Sequence, residues 1–173
     1  PVSGARPRRA AASARAPPDP FFQKGEFLHY WKAIYLDRFT DDAIEAIVAG
    51  SASRPSQRSL LAIWALGGAM SRVGTDETPL GNRSAPFLLE MIGTWSEAAQ
   101  TEQNVVWVRH VFETMHWFSS GKINANFSGA GEDNERFVRA AFGDHHQRLA
   151  KVKHAYDPTN MFRLNQNISV EAG

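Results

Sequence analysis

Cysteine is absent from all 173 residues. That excludes disulfides, a thiolate nucleophile, a cysteinyl link to a cofactor, and zinc or iron–sulfur sites built on sulfur. No apolar run approaches the roughly 20 residues a bilayer-crossing helix needs, and no charged-then-apolar signal segment opens the chain. The expectation is therefore a soluble, cytoplasmic protein without a membrane partner. A large excess of one charge is missing too. The net charge is +1, but Arg6, Arg8, Arg9 and Arg15 stand in an acid-free opening stretch, which leaves fifteen basic against eighteen acidic side chains, or −3, for the remainder. So mildly acidic a body has no broad face for phosphates, and nucleic acid is not an expected partner. A G-x-G-x-x-G loop is also lacking, so a dinucleotide pyrophosphate finds no evident cradle.

What is present suffices for one core: 43% of residues are hydrophobic and 11% aromatic. Residues 1–20 are Ala/Arg/Pro-rich, end in Pro17-Pro18-Asp19-Pro20, and lack apolar periodicity, so they read as a disordered tail or linker. Residues 21–173 read as the folded domain. Its first segment places Phe27, His29, Trp31, Ala33 and Tyr35 on one side and Leu28, Tyr30, Lys32, Ile34 and Leu36 on the other, a strand covered on both faces. Thr40-Asp41-Asp42 supplies an N-cap and an acidic first turn for a short helix that ends near Gly50. Ser59 to Leu66 and Ala85 to Trp95 read as further strands, the latter with Glu90 among apolar neighbours. Glu102 to Trp117 carries Val105, Val106, Val108, Val111, Phe112 and Met115 at helical spacing. Lys122 to Phe127 is a short segment of its own, and a helical region from about Glu132 to Tyr156 breaks at Gly143-Asp144 and stops at Asp157-Pro158. Aromatic and amphipathic strands argue against a doubly covered parallel sheet. The expected class is α+β, an antiparallel sheet with helices packed on one face.

The most specific stretch is Lys153-His154-Ala155-Tyr156-Asp157-Pro158-Thr159-Asn160-Met161-Phe162-Arg163-Leu164-Asn165-Gln166-Asn167-Ile168. By residue chemistry alone it is a helix end, a turn in which Asn160 tolerates the left-handed conformation, and a return anchored by Phe162 and Ile168. It also resembles the C-terminal signature of the berberine-bridge-enzyme-like flavoproteins, roughly K-x-x-Y-D-P-x-N-x-F-R-x-x-Q-N-I. Further resemblances follow in order: Tyr30 to Leu36 with a W-K-x-x-Y-L strand, Leu66-Gly67-Gly68-Ala69 with an L-G-G-A turn, Arg83 to Phe87 with an R-x-A-P-[YF] lead-in, and Arg139 to Gly143 with Arg148-Leu149 to a helix pair. The likeness covers about residues 22 to 168.

The resemblance implies the substrate-side portion of a vanillyl-alcohol-oxidase-like flavoprotein. Such an enzyme oxidises an alcohol, sugar or secondary metabolite with hydride transfer to FAD. It implies a small-molecule substrate and an FAD-binding domain that is missing here or separately encoded. Cofactor contacts are expected from Asn126, Asn165, Gln166 and Asn167, and substrate contacts from Trp31 and Tyr35. Glu90 falls where relatives carry a Glu or Gln facing substrate, which makes it the candidate base. Its plainer alternatives are a solvent-facing edge position or an ion pair with a cation such as Arg83. Asn124 stands where the family commonly has a tyrosine; an amide orients a substrate but does not take its proton. Gly143-Asp144-His145-His146 likewise replaces a common G-x-N-Y. Adjacent histidines on a helix point about 100° apart, so His145 and His146 read as surface or helix-end residues and no metal is expected. The alternative to an enzyme is a truncated or vestigial domain, an interaction module at most, prone to homo-oligomerise through an exposed aromatic face.

Overall fold

A computed structural model describes residues 25–80, 82–127, 134–164 and 166–169. The expected 1–20 tail and Asn165 lie outside these residues. Four strands, β1 (Leu28–Leu36), β2 (Leu60–Ala65), β3 (Phe87–Trp95) and β4 (Ser119–Ile123), form one sheet in the order β2-β3-β1-β4. Every pairing is antiparallel. Four α-helices accompany it: α1 (Asp41–Ala52), α2 (Thr101–His116), α3 (Asn134–Phe142) and α4 (His146–Tyr156). This is the α+β architecture that the strand composition implied.

The longest helix, α2, lies against β1 and β3. From the sheet come Tyr30, Ile34, Leu36, Leu89, Met91 and Trp95, and from the helix Trp107, Val108, Val111 and Met115, into one buried cluster. Fully burying side chains of this size contributes about 1.5–3 kcal/mol each. Val106 was placed on the buried stripe by its spacing, but it is exposed, and the larger Trp107 is buried instead. The Trp107 indole donates to the Gly50 carbonyl at 2.9 Å, pinning α2 to α1.

Helix α1 starts as its chemistry demands, with the Thr40 hydroxyl accepting from Ala43 N–H at 3.2 Å and Asp41 and Asp42 in the first turn. It ends near Gly50, as expected, with Ala52 its last residue. A Cβ at Gly50 would lie 3.1 Å from Val111 Cγ2, so the glycine serves close approach of two helices. Strand β4 begins at Ser119, earlier than the Lys122 boundary expected, and joins β1 with a register irregularity between Ile34 and Leu36. The last helical region is split where expected: Gly143, at φ 52°, opens a short 3-10 turn before α4.

Candidate functional site

Strand alternation fixes what the sheet presents on the side away from α2. Registers of β1 and β2 against β3 put Ala33, Glu90 and Ala62 in one row across three strands. The neighbouring rows are Tyr35–Leu88–Trp64 and Trp31–Ile92–Leu60. Ala33, Tyr35, Ala85 and Leu88 form a second buried cluster here, with Leu66 and Phe127 packed on it. Phe127 stacks on Trp31 with ring centroids 6.0 Å apart and planes at 22°.

Glu90 is the anomaly of this face. It is 7% exposed, sits on the central strand β3, and has alanines directly opposite on both sides. No hydrogen bond or ion pair reaches its carboxylate among the described residues. Neither plainer alternative is realised. Residue 90 is not at a solvent-facing edge, and the Arg83 guanidinium is engaged by the Met70 carbonyl at 3.0 Å and by the Thr78 hydroxyl. Its carboxylate oxygens are not among the fully enclosed polar atoms of the described residues, so they reach solvent at the margin of the face.

Tyr35, one row away, is 3% exposed. Burial pushes its phenol above the ordinary tyrosine value, and the neighbouring Asn124 side chain pulls the other way. The net direction is upward, so at neutral pH the group is a phenol, able to donate a hydrogen bond. The structure thus brings together Glu90, Tyr35, Trp31 and, through Tyr35, Asn124. Pairing of Asn124 with Tyr35 was not evident in the sequence, because 89 positions separate the two residues and only the β1–β4 pairing joins them.

Cofactor candidates are placed differently. Asn126 is exposed in the turn after β4, where its backbone N–H donates to Asn124 Oδ1 at 3.0 Å. Asn167 lines a cleft of about 220 Å³ with Glu135, Val138, Arg139, His146 and Ser169, beside α3 and not on the Glu90 face. Gln166 is half-buried in the same C-terminal segment. Upstream of these amides the segment is clamped. The Asp157 carboxylate accepts from Met161 N–H at 2.7 Å and Phe162 N–H at 3.0 Å, and Lys153 bridges Asp157 and the Phe162 carbonyl. Asn160 takes the left-handed conformation at φ 53°, as its type allows. Phe162 does not anchor a return to the core: it is 76% exposed, and Tyr156, Met161 and Leu164 are exposed beside it. The clamp turns these side chains outwards.

Of the five tryptophans, Trp95 and Trp107 are core residues, whereas Trp64 and Trp117 are exposed. His146 is buried at the start of α4, not on the surface.

Residues 121–169 match the family described as berberine and berberine like. The uncharacterized FAD-linked oxidoreductase YgaK of Bacillus subtilis is 30% identical over 114 residues, which cover 66% of this chain and 25% of that protein. Reticuline oxidase of Eschscholzia californica is 28% identical over 130 residues, 62% of this chain and 24% of its own length. The solved berberine bridge enzyme from Eschscholzia californica superposes with a TM-score of 0.77 at 22% identity, over 88% of this chain and 35% of that one. The chain spans about a quarter of the length of the curated relatives it matches. Over residues 121–169 the chain carries the berberine and berberine like family's pattern, and as a whole it is similar to a part of FAD-linked oxidoreductases of the berberine-bridge-enzyme kind.

Proposed function

We propose that the sheet face bearing Glu90 is the substrate side of an alcohol-oxidising flavoenzyme and that Glu90 is its general base. The observation that carries this reading is an acidic side chain with no ion-pair partner among the described residues, on the central strand β3 between Ala33 and Ala62. Glu90 takes the hydroxyl proton, and the Tyr35 phenol, held by Asn124, donates to the same oxygen and fixes its orientation. Asn124 acts only through that positioning.

FAD, when bound, supplies the two-electron acceptor for the hydride that leaves the substrate carbon. The described residues suit a roof over the flavin ring better than a holder for the whole cofactor, because Asn126 and Asn167 lie in separate places and no glycine-rich phosphate loop occurs. The FAD-binding portion is therefore read as a separate part of the protein or a separate chain. The outward-turned Tyr156, Met161, Phe162 and Leu164 form an apolar ridge suited to such a partner. That ridge equally suits an interaction module that has lost catalysis.

Glu90→Gln decides between the two. In the protein assembled with its FAD-binding portion, loss of a general base is expected to lower kcat by about 10²-fold or more, with flavin absorbance and melting temperature retained. Unchanged turnover in this variant would remove Glu90 from the mechanism. An assembled wild-type protein with no flavin reduction by any alcohol would favour the interaction module.

A further inference from the structure

We propose that the open edge of β2 is a homodimer interface, at which two copies of the chain join their sheets by antiparallel β2–β2 pairing. In the order β2-β3-β1-β4 this strand is an outer one, paired only with β3 among the described residues. Its sequence, Leu60-Leu61-Ala62-Ile63-Trp64-Ala65, carries no charge and no proline, and its register on β3 runs unbroken. Charges, prolines and bulges are what ordinarily stop an edge strand from pairing further, and β2 has none of them. The ladder fixes where its remaining backbone groups point. Leu66 N–H donates to the Pro86 carbonyl at 2.7 Å, and the Thr94 N–H and carbonyl both meet the Ser59 hydroxyl. Even-numbered positions of β2 therefore bond to β3, and the N–H and C=O groups of Leu61, Ile63 and Ala65 face the open edge. A two-fold axis at Ile63 sets that residue against its own copy and Leu61 against Ala65, which satisfies these groups with about six hydrogen bonds.

Side chains beside the edge suit the same two-fold. Helix α1 turns Ala43, Ile47 and Gly50 to the core, and Ile44 and Val48 lie about 100–140° further round it. Strands β1 and β2 run parallel on either side of β3, and the right-handed crossover through α1 carries that flank over β2, away from α2. Ile44, Val48 and Ile63 are all exposed there, and the same three residues of a second copy cover them. On the opposite face the exposed Trp64 comes to lie over Ala62 of the partner subunit, a large side chain over a small one. Charge agrees with the pairing. Asp41, Asp42 and Glu45 stand at the N-terminal end of α1, whereas Arg54 and Arg58 follow its C-terminal end, beside the start of β2. The two-fold reverses one α1 against the other, so each acidic end meets Arg54 and Arg58 of the partner subunit. A second copy thus answers the backbone groups, the apolar surface and the charges of this edge together.

Sedimentation velocity on the full chain tests the interface, and the lack of cysteine makes one introduced thiol a clean reporter of it. The wild type is expected at twice the mass of one chain. Ile63→Lys sets two ammonium groups against each other at the two-fold, and Val48→Lys changes an exposed helix position on which the fold does not depend. Each should raise the dimer dissociation constant by about tenfold or more. Val106→Lys, on the exposed side of α2, should leave it unchanged. Ile63→Cys should crosslink two copies on mild oxidation, and Val106→Cys should not. A chain that stays monomeric at every concentration, or a dimer that neither Ile63→Lys nor Val48→Lys weakens, would overturn the proposal. Dissociation by Phe162→Lys alone would move the interface to the apolar ridge and sink the β2 edge as its site.

Discussion

Asp157 shows how one carboxylate organises a segment. It accepts two backbone N–H groups and meets Lys153, and the Lys153 hydrogen bond is the chief reason its carboxyl is held below the usual aspartate value, with the Phe162 and Met161 amides adding to the effect. A carboxyl pKa lower in the folded state contributes stability that is present above the unfolded value of about 3.9 and is lost as the pH falls through the folded value. Asp157→Asn should therefore lower the melting temperature at pH 7, and the gap from the wild type should close as the pH drops below about 4. A gap that stays constant from pH 7 to pH 3 would show that the clamp does not depend on the charge. At Tyr35 the expected outcome is catalytic: Tyr35→Phe in the assembled enzyme removes a donor made to fit the substrate oxygen and should lower kcat/KM by about tenfold or more, roughly the value of one such hydrogen bond. The stability of that variant should change little by comparison.

At the scale of elements, two glycines decide how closely the layers pack. In the middle of a helix, Gly50→Ala would ordinarily stabilise by about 0.5–1 kcal/mol. Here the added Cβ meets Val111 Cγ2 at 3.1 Å, and Val111 is β-branched and 2% exposed, so it has little freedom to yield. The expected outcome is destabilisation by about 1–3 kcal/mol, read from urea unfolding. Gly93 on β3 poses the same constraint against Val108 Cγ2, also at 3.1 Å, and Gly93→Ala should behave alike. Boundaries legible in the sequence were those with local chemistry, such as the Thr40 cap and the Gly143 break. The packing role of Gly50 was not legible, because the reason for that glycine is a neighbouring helix 61 positions away in sequence.

For the whole molecule, the chain matches only about a quarter of the length of its curated relatives, and the amides expected to touch the cofactor are spread over separate regions. When the chain is mixed with FAD and passed over a desalting column, the protein fraction should carry no stoichiometric flavin absorbance. A bound yellow cofactor would show that these residues hold FAD by themselves. The apolar ridge of Tyr156, Met161, Phe162 and Leu164 gives the complementary expectation, since a surface turned outwards by a rigid clamp pays little ordering entropy when a partner covers it.

The sequence by itself determined the family resemblance, the sheet-and-helix class and the alternation that puts Glu90 and Trp31 on one side of the strands. These depend on residue type and spacing, which local physics reads directly. It also marked Glu90 as out of place among apolar neighbours, but left open an edge position or an Arg83 partner. Only the tertiary structure closed those alternatives, because burial and partnership depend on which strands flank β3 and where Arg83 points. The same holds for the Ala33–Glu90–Ala62 row, for the Tyr35–Asn124 pair, and for Phe162 facing out instead of in. Each is set by register and packing between segments far apart in the chain, where no local pattern carries the information.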